Sequence, residues 1–407
     1  MDQGIIVAIL SMLFYLSSLL GGGTGQTVQP LDTPMTQQSY QVFGQGGKVV
    51  ADSVTVRSGP SNEAEAIGTV HKNTEELILL DYSPGWYKIR PSVGPTGWVP
   101  EYSVTQVAVQ REEQDHVILG LYTPGAPAYG SLLDHGSQLT SVSPFGWELD
   151  SYGGLVTNFD PAEMGRSLYF AGNQELETYA HLHVPSNPDR LLNNAYLQQN
   201  SINQLIGSVE EWGLKGLLVE LTYLPGTEQP QLFEFLRTLA SELRAKGFKT
   251  LLAIPWDPSI DYRAASTAVD YIVLQTAASL EVSAPLAPLP HVEAMVKEVI
   301  QQVETSRLVL ALTTSGRDWA RTGVAQELSH DEVLQLAARQ GANVRWDPDS
   351  MSPFFQYGNG HEVWFENRYS LKYKLELISK YNLGGIALQD LGQEDPELWA
   401  TLASLVG

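Results

Sequence analysis

The stretch GLKGLLVELTYLP, residues 213–225, places a carboxylate near the end of a strand-like run. Side chains alternate between the two faces of a strand, so Leu218, Glu220 and Thr222 share one face. A carboxyl group whose pKa is tuned toward the working pH can act as a general acid or base, whereas a threonine hydroxyl cannot be a general acid near neutral pH. Glu220 is therefore the candidate on this face. We expect it either to contact a ligand or to be paired with an Arg, Gln or Tyr.

Two further carboxylates follow strand-like runs. Asp257 comes after KTLLAIPW, and Asp390 comes after GIALQ. Catalytic residues collect at the carboxyl ends of strands in α/β barrels, but carboxylates are also ordinary loop residues. Each aspartate is therefore either a residue of a site or a loop residue.

The sequence contains no motif that predicts metal or cofactor binding. The chain has 8 histidines and no cysteine. No H-E-x-x-H spacing, phosphate-binding loop or dinucleotide fingerprint is present. The absence of cysteine excludes disulfides, thiol nucleophiles and Cys-based zinc sites. We expect no metal and no cofactor.

The elements that would position these carboxylates form a repeating pattern from residue 116 to residue 407. Apolar runs alternate with amphipathic helices such as QPQLFEFLRTLASELRAKG, which ends in Lys246 and Gly247 as a helix C-terminus should. The runs are HVILGLYT, LTSVSPFGWELD, ETYAHLHV, GLLVELTYL, KTLLAIPW, VDYIVLQT, RLVLALTTSG and LGGIALQDL. This alternation predicts an α/β fold, a (β/α)₈ TIM barrel. Residues from about 328 to 370 interrupt the last repeat, and we expect an α+β insertion there that walls one side of the barrel mouth.

A second domain is predicted upstream, at residues 48–108. Short alternating runs separated by turn residues are typical of a small all-β barrel. The opening VTVRSGPS, the strand GWYKI and the closing GWV resemble a bacterial SH3-like domain. The resemblance implies attachment to cell-wall peptides, with Trp98 and Tyr102 lining either the core or a shallow groove.

The amino terminus is uncharged between Asp2 and Asp32. A spanning helix needs roughly 20 apolar residues, and a signal peptide core needs roughly 7 to 15. Residues 1–23, with an apolar stretch at 4–23, are therefore a membrane anchor, a cleaved signal or a buried helix. The first two place the protein outside the cytoplasm, secreted or anchored at the cell envelope. Residues 24–47, rich in Gln, Thr, Gly and Pro, are expected to form a flexible linker.

Length and charge limit the partners. A chain of 407 residues is expected to hold two domains besides the leader. Its formal net charge of −22 repels nucleic acid and anionic lipid headgroups, so neither is an expected partner.

The region from roughly 116 to 407 resembles the family 18 glycoside hydrolases, in the branch linked to spore germination and peptidoglycan processing. The tracts that carry the likeness are EEWGLKGLLVELTYLP and SPFFQYGNGHEVWFENRYSLKYKLELISKYNLGGIALQDLGQEDPELW. The family mechanism rests on D-G-x-D-x-D-x-E at the end of strand 4, where the Glu protonates the glycosidic oxygen and the substrate's own N-acetyl group attacks. On this chain the motif falls on Lys215, Gly216, Leu218, Glu220 and Thr222. The resemblance therefore implies that the family acid is lost at Thr222.

Other family positions are also replaced. The Met-x-Tyr-Asp-like run after strand 6 falls on QTAA, which puts Gln275, Ala277 and Ala278 in those places. The Trp that stacks on the sugar at the end of strand 8 falls on Gln389. Several substrate-contacting positions have thus changed together, which favours a site that no longer cleaves glycosides.

Some aromatic and acidic residues fit a surviving binding surface. Asp318 and Trp319, in TTSGRDW, match a family position at the mouth after strand 7, and they either line a groove or cap the loop. Trp147, after strand 2, is either a sugar platform or a core residue. The ligand contacts we expect are Trp147, Glu220, Gln275, Trp319 and Gln389.

Two functions follow from these residues. The first is a non-catalytic cell- or spore-envelope protein that binds peptidoglycan, another N-acetylglucosamine-type glycan or a protein partner. The alternative is an active glycoside hydrolase whose acid has moved to another carboxylate. The candidates for that acid are Glu220, Asp257, Asp318 and Asp390.

Overall fold

The computed structural model describes residues 41–72, 74, 77–108, 115–184, 188–222, 228–277, 283–320 and 324–406. The predicted leader at 1–23 and most of the predicted linker lie outside these residues. Within them, no helix is both long and apolar enough to cross a membrane. The described residues divide into two compact units: those up to 108 together with 159–177 and 211–213, and the remainder from 115 to 406.

The first unit contains an antiparallel seven-stranded sheet with the order β3-β2-β6-β5-β4-β1-β7. Its strands are β1 Gly46–Val49, β2 Ser53–Arg57, β3 Ala66–His71, β4 Leu77–Ser83, β5 Trp86–Pro91, β6 Gly97–Pro100 and β7 Val104–Val107, with a 3₁₀ turn at Glu101–Ser103. Alternate residues point inward, so Val56, Leu79, Ile89 and Val99 form a closed apolar core. The predicted small all-β domain is present.

The second unit is built on a closed barrel of parallel strands. From residue 117 the strands are β8 Val117–Tyr122, β9 Ser141–Leu149, β10 Leu155–Thr157, β11 Glu177–Val184, β12 Gly216–Leu221, β13 Lys249–Pro255, β14 Tyr271–Gln275, β15 Leu308–Leu312, β16 Gly316–Trp319, β17 Gln326–Leu328, β18 Arg345–Asp347, β19 Ser352–Tyr357, β20 His361–Phe365 and β21 Gly385–Leu388. The barrel order is β8-β9-β11-β12-β13-β14-β15-β21, and β21 pairs with β8 to close it. These eight strands are the eight runs that the sequence predicts. β10 is an added strand antiparallel to β9.

Helices alternate with the barrel strands. From residue 126 they are α1 Ala126–His135, α2 Pro161–Asn173, α3 Asp189–Leu192, α4 Ala195–Glu211, α5 Gln229–Ala245, α6 Tyr262–Ala268, α7 Leu289–Val299, α8 His330–Gln340, α9 Arg368–Tyr381 and α10 Leu398–Val406, with 3₁₀ turns at Gly136–Gln138 and Thr305–Arg307. Together with the barrel strands they give the predicted (β/α)₈ fold.

The barrel interior is a packed apolar core rather than a pore. Leu119, Leu218, Leu251 and Val309 are buried together inside it. Parallel strands in a barrel are covered on both faces, which is why the runs read as continuous hydrophobic segments. Access to the interior is therefore confined to the mouth formed by the carboxyl ends of the strands.

The insertion between β15 and β21 is a five-stranded antiparallel sheet, in the order β17-β16-β20-β19-β18. On its back face, Phe355 and Val363 pack against Val333 and Ala337 of α8. Its front face is defined by residues that alternate with these along the strands: Arg317, Trp319, Arg345, Phe354, Gln356, Glu362 and Trp364. The sheet includes β16 and β17, so it begins before residue 328.

Candidate functional site

Glu220 is the second-last residue of β12, and its side chain lies on the inner side of the barrel near the mouth. Its Oε2 accepts a hydrogen bond from Nε2 of His181 at 3.2 Å, and its Oε1 accepts one from the side-chain amide of Gln275 at 2.6 Å. The side chain is 19% exposed. Glu220 is thus a paired carboxylate at the bottom of the mouth. One of its partners is a Gln, one of the residue types predicted from the sequence for such a pairing.

The hydrogen bonds keep this carboxylate ionised. Burial by itself would raise the pKa of Glu220, but the bonds from His181 and Gln275, together with the nearby His183, lower that pKa below its ordinary value. A general acid needs a raised pKa, so Glu220 has the opposite tuning. Its chemistry in this setting is to accept hydrogen bonds.

Leu218 and Thr222 complete the same strand face. Leu218 is fully buried in the barrel core and lies next to His181 in register. Thr222 follows the end of β12 and is exposed. The position that the family resemblance assigns to the acid therefore presents a hydroxyl, which cannot donate a proton to a leaving group near neutral pH.

Asp390 lies just past the end of β21 in a left-handed backbone conformation, with φ of 59°. Burial and the negative charge of Glu327 raise its pKa to about 6, and the charge of Glu220 adds to this while Arg317 opposes it. Arg317 also pairs with Glu327 at 3.5 Å. Asp390 and Glu220 thus interact electrostatically across the mouth. The raised pKa gives Asp390 the tuning of a proton donor.

Asp257 and Asp318 have other uses. Asp257 is exposed, and hydrogen bonds from the side chain and from the backbone N–H of Ser259 lower its pKa, so it is a loop-stabilising residue. Asp318 is buried on the back face of the inserted sheet. It accepts hydrogen bonds from the Tyr357 hydroxyl at 2.5 Å and from Nδ1 of His361 at 3.0 Å. Because both of its carboxylate oxygens accept hydrogen bonds from residues of the inserted sheet, Asp318 stabilises that sheet.

Two tryptophans expected to contact ligand are buried instead. Trp147 is 2% exposed and donates its indole N–H to Ser208 of α4 at 3.0 Å, so its core-packing alternative is the one that the structure shows. Trp319 is 3% exposed and packs against Leu286 and Trp364. A stacking platform needs an open ring face, so neither ring serves as one in this structure.

The remaining expected contacts lie at strand ends. Gln275 ends β14 and is committed to Glu220. Gln389, directly after β21, is half-buried, and its backbone bonds to Leu312 and Thr314 hold the end of β15 beside it. Ala277 is half-buried past β14, and Ala278 lies outside the described residues.

Three residues around Glu220 and Asp390 were not predicted from the sequence: Phe145, His181 and Arg317. Phe145 lies in the middle of β9 and His181 in the middle of β11, and their ring centroids are 4.0 Å apart. Side chains alternate along a strand, so His181 shares the inner face of β11 with Tyr179. This placement could have been predicted from the sequence. The placement of Arg317 could not, because its position depends on the inserted sheet.

This fold and these strand-end residues define a TIM-barrel protein of the glycosidase type preceded by a small β-barrel. The chain belongs to the glycosyl hydrolases family 18, whose sequence profile matches residues 187–394, just over half of the chain. A bacterial SH3 domain matches residues 52–105.

Two proteins of Bacillus subtilis are among the relatives that the chain matches. A cortical fragment-lytic enzyme of Bacillus subtilis (strain 168) is 25% identical over 235 residues, covering 52% of this chain and 54% of that protein. The putative sporulation-specific glycosylase YdhD of the same strain is 27% identical over 222 residues, covering 50% and 53%. The chain therefore spans about half the length of the curated relatives it matches.

A solved structure shows the same fold. The spore cortex-lytic enzyme SleL of Bacillus megaterium QM B1551 superposes with a TM-score of 0.66 at 18% identity, covering 77% of this chain and 78% of that one. At this identity the likeness extends to the fold alone.

Proposed function

We propose that this protein binds peptidoglycan or a related N-acetylglucosamine-type glycan at the cell or spore envelope without cleaving it. The observation that carries the proposal is the replacement of the family's proton donor by the exposed hydroxyl of Thr222. Glycoside cleavage in this family needs an acid within hydrogen-bond reach of the leaving oxygen. Binding needs only acceptors and donors at the mouth, and Glu220 is an ionised acceptor held in place by two partners.

The relatives support an envelope ligand. Their names refer to cortical fragment lysis and to sporulation, and both point to action on peptidoglycan outside the cytoplasm. The bacterial SH3 domain supports attachment to the wall, and Tyr102 is 84% exposed on that unit. Secretion or anchoring through residues 1–23 remains a prediction from the sequence.

The test compares binding with turnover in the full chain. Wild-type protein is incubated with purified peptidoglycan, where binding is measured by co-sedimentation, and with soluble chitooligosaccharides, where binding is measured by calorimetry. New reducing ends are measured in both. We expect binding without new reducing ends. Glu220→Gln should weaken binding, and Glu234→Gln, an exposed carboxylate on α5 outside the mouth, is the matched control. Release of reducing ends by the wild type would overturn the proposal, and loss of that release in Glu220→Gln would assign the acid to Glu220.

A second candidate is a hydrolase with a relocated acid, and Asp390 is the observation that favours it. Its pKa of about 6 leaves a population protonated near neutral pH. This candidate requires turnover that rises as the pH falls toward 6 and disappears in Asp390→Asn. Reducing ends that form in the wild type and persist in Asp390→Asn exclude Asp390 as the acid.

A further inference from the structure

Four side chains on the front face of the inserted sheet form a continuous cross-strand row. Arg317 of β16 lies opposite Trp364 of β20, Trp364 opposite Phe354 of β19, and Phe354 opposite Arg345 of β18. The rings of Phe354 and Trp364 stack with centroids 4.5 Å apart and an interplanar angle of 15°. The row therefore has an aromatic centre and a guanidinium at each end.

The guanidinium of Arg345 is fixed by this row. It lies 4.6 Å from the centroid of Phe354, and its Nη2 donates to Oε1 of Gln356 at 3.0 Å. Gln356 in turn donates to Glu362 at 2.6 Å, and Glu362 also accepts the indole N–H of Trp364 at 2.7 Å. A planar guanidinium stacked on a ring loses little further freedom when it binds an anion.

Arg345 is exposed, and among the residues that the structure describes it forms no ion pair. The carboxylate of Glu362 acts on it electrostatically, so a bound anion would share the guanidinium with that residue. Gln356 engages one nitrogen, which leaves other N–H donors of the fork facing solvent. An ordered arginine of this kind matches the two oxygens of a carboxylate.

The row connects this arginine to the barrel mouth. Arg317, at its inner end, acts electrostatically on Asp390. Ser283, in the segment after β14, donates to Glu362 on the front face at 2.7 Å. Three strand spacings separate Arg345 from Arg317, which is roughly 14 Å. Arg317 and Trp364 are buried, so the part of the row open to a ligand is the half-buried Phe354 and the exposed Arg345 at its outer end.

We propose that Arg345 is the carboxylate-binding residue of an extended glycan site, which selects a carboxylate-bearing glycan over a neutral one. The proposal rests on the glycan binding proposed above. Peptidoglycan strands carry carboxylates on the lactyl group or on the stem peptide, whereas chitin carries none. The net charge of −22 disfavours an acidic ligand overall, so a local cation is needed to hold one.

The test measures affinities of the full chain by calorimetry for four soluble probes. The probes are chitooligosaccharides, peptidoglycan fragments with stem peptides, strands stripped of peptide so that the lactyl carboxylate is free, and stem-peptide fragments whose carboxyls have been amidated. The variants are Arg345→Gln and Arg345→Lys. The matched control is Arg339→Gln, an exposed arginine on α8 behind the back face of the same sheet.

We expect Arg345→Gln to weaken binding of the carboxylate probes about tenfold, the loss typical of one charged hydrogen-bond partner. Arg345→Lys should recover part of it, since the charge remains and the planar fork does not. The neutral and amidated probes and the Arg339→Gln control should be unchanged. Whichever carboxylate probe is affected identifies the lactyl or the peptide source.

The outcomes separate the two proposals. Equal binding of neutral and acidic probes by the wild type, or equal losses for both in Arg345→Gln, overturns the role of Arg345 and leaves glycan binding intact. Failure of the wild type to bind any of the four probes overturns the proposed function, and the role of Arg345 with it.

Discussion

The side-chain amide of Gln275 donates to Glu220 across the barrel mouth at 2.6 Å, from β14 to β12. Both residues occupy places where the family resemblance puts substrate-binding groups, a Met and the motif's third Asp. The two residues therefore match each other, because the side-chain amide of Gln275, at the Met position, donates a hydrogen bond to the Glu220 carboxylate. His181 supplies the second bond, so this carboxylate is held as an ionised acceptor.

This pairing predicts an acid-sensitive contribution to stability. The folded pKa of Glu220 lies below its ordinary value of 4.5, so its contribution is present above about pH 4.5 and is lost as pH falls through the folded pKa. Urea unfolding from pH 7 to pH 3 should show a smaller loss in Gln275→Met than in the wild type, because one stabilising bond to the carboxylate is gone. At pH 7, Gln275→Met should cost about 1 to 3 kcal/mol. An unchanged pH slope would contradict the role of this bond.

Restoring the family acid alone should not restore catalysis. Thr222→Glu returns a carboxyl to the motif position, but Leu218 still fills the place of the second Asp and Gln275 still engages Glu220. An acid without the groups that orient the N-acetyl nucleophile lacks the geometry that the mechanism needs. Reducing-end release from peptidoglycan by Thr222→Glu should match the wild type. Thr222→Gln, of the same size without the acid, is the control, and a gain confined to the Glu variant would show a latent active site.

Asp390 should give the opposite pH dependence. Its folded pKa of about 6 is above its ordinary value of 3.8, so the folded state binds the proton more tightly and stability from this group falls as pH rises from about 4 to above 6. Asp390→Asn keeps the left-handed backbone, which Asn tolerates as well as Asp, and removes the charge. We expect Asp390→Asn to be more stable than the wild type at pH 7.5 by up to about 3 kcal/mol and equal to it near pH 4. Equal stability at both pH values would mean that the carboxyl is not perturbed.

The sequence predicted the barrel because its eight strands are long apolar runs, and hydrophobic periodicity is a local signal. It also predicted that Leu218, Glu220 and Thr222 share a face, since alternation along a strand needs no tertiary information. Alternation along a strand could not predict whether the side chains of Trp147 and Trp319 are buried or open to a ligand. A tryptophan at a strand end faces either the mouth or a neighbouring element, and the choice depends on packing partners such as Ser208 and Leu286 that are distant in sequence.

The row from Arg317 to Arg345 was beyond the sequence for a related reason. Its four residues lie on four different strands, and their alignment depends on the register of β16, β18, β19 and β20. Register in a sheet is set by pairing across strands, so no pattern within one strand reveals it. The pKa of Asp390 likewise depends on Glu327 and Arg317, which the inserted sheet brings to the mouth.

Gly216, the motif residue kept on β12, should be required by the barrel rather than by chemistry. Its φ is 154°, and an added Cβ would lie 1.8 Å from the carbonyl oxygen of Lys249 on β13. Relief would require two paired barrel strands to separate, so Gly216→Ala should lower the free energy of unfolding by more than about 4 kcal/mol. The matched control is Gly207→Ala on α4, where a Cβ meets nothing within 4 Å and the helix should gain up to about 1 kcal/mol. Chemical denaturation of both variants is the measurement, and a Gly216→Ala protein as stable as the wild type would show that the strands can shift to accept the methyl group.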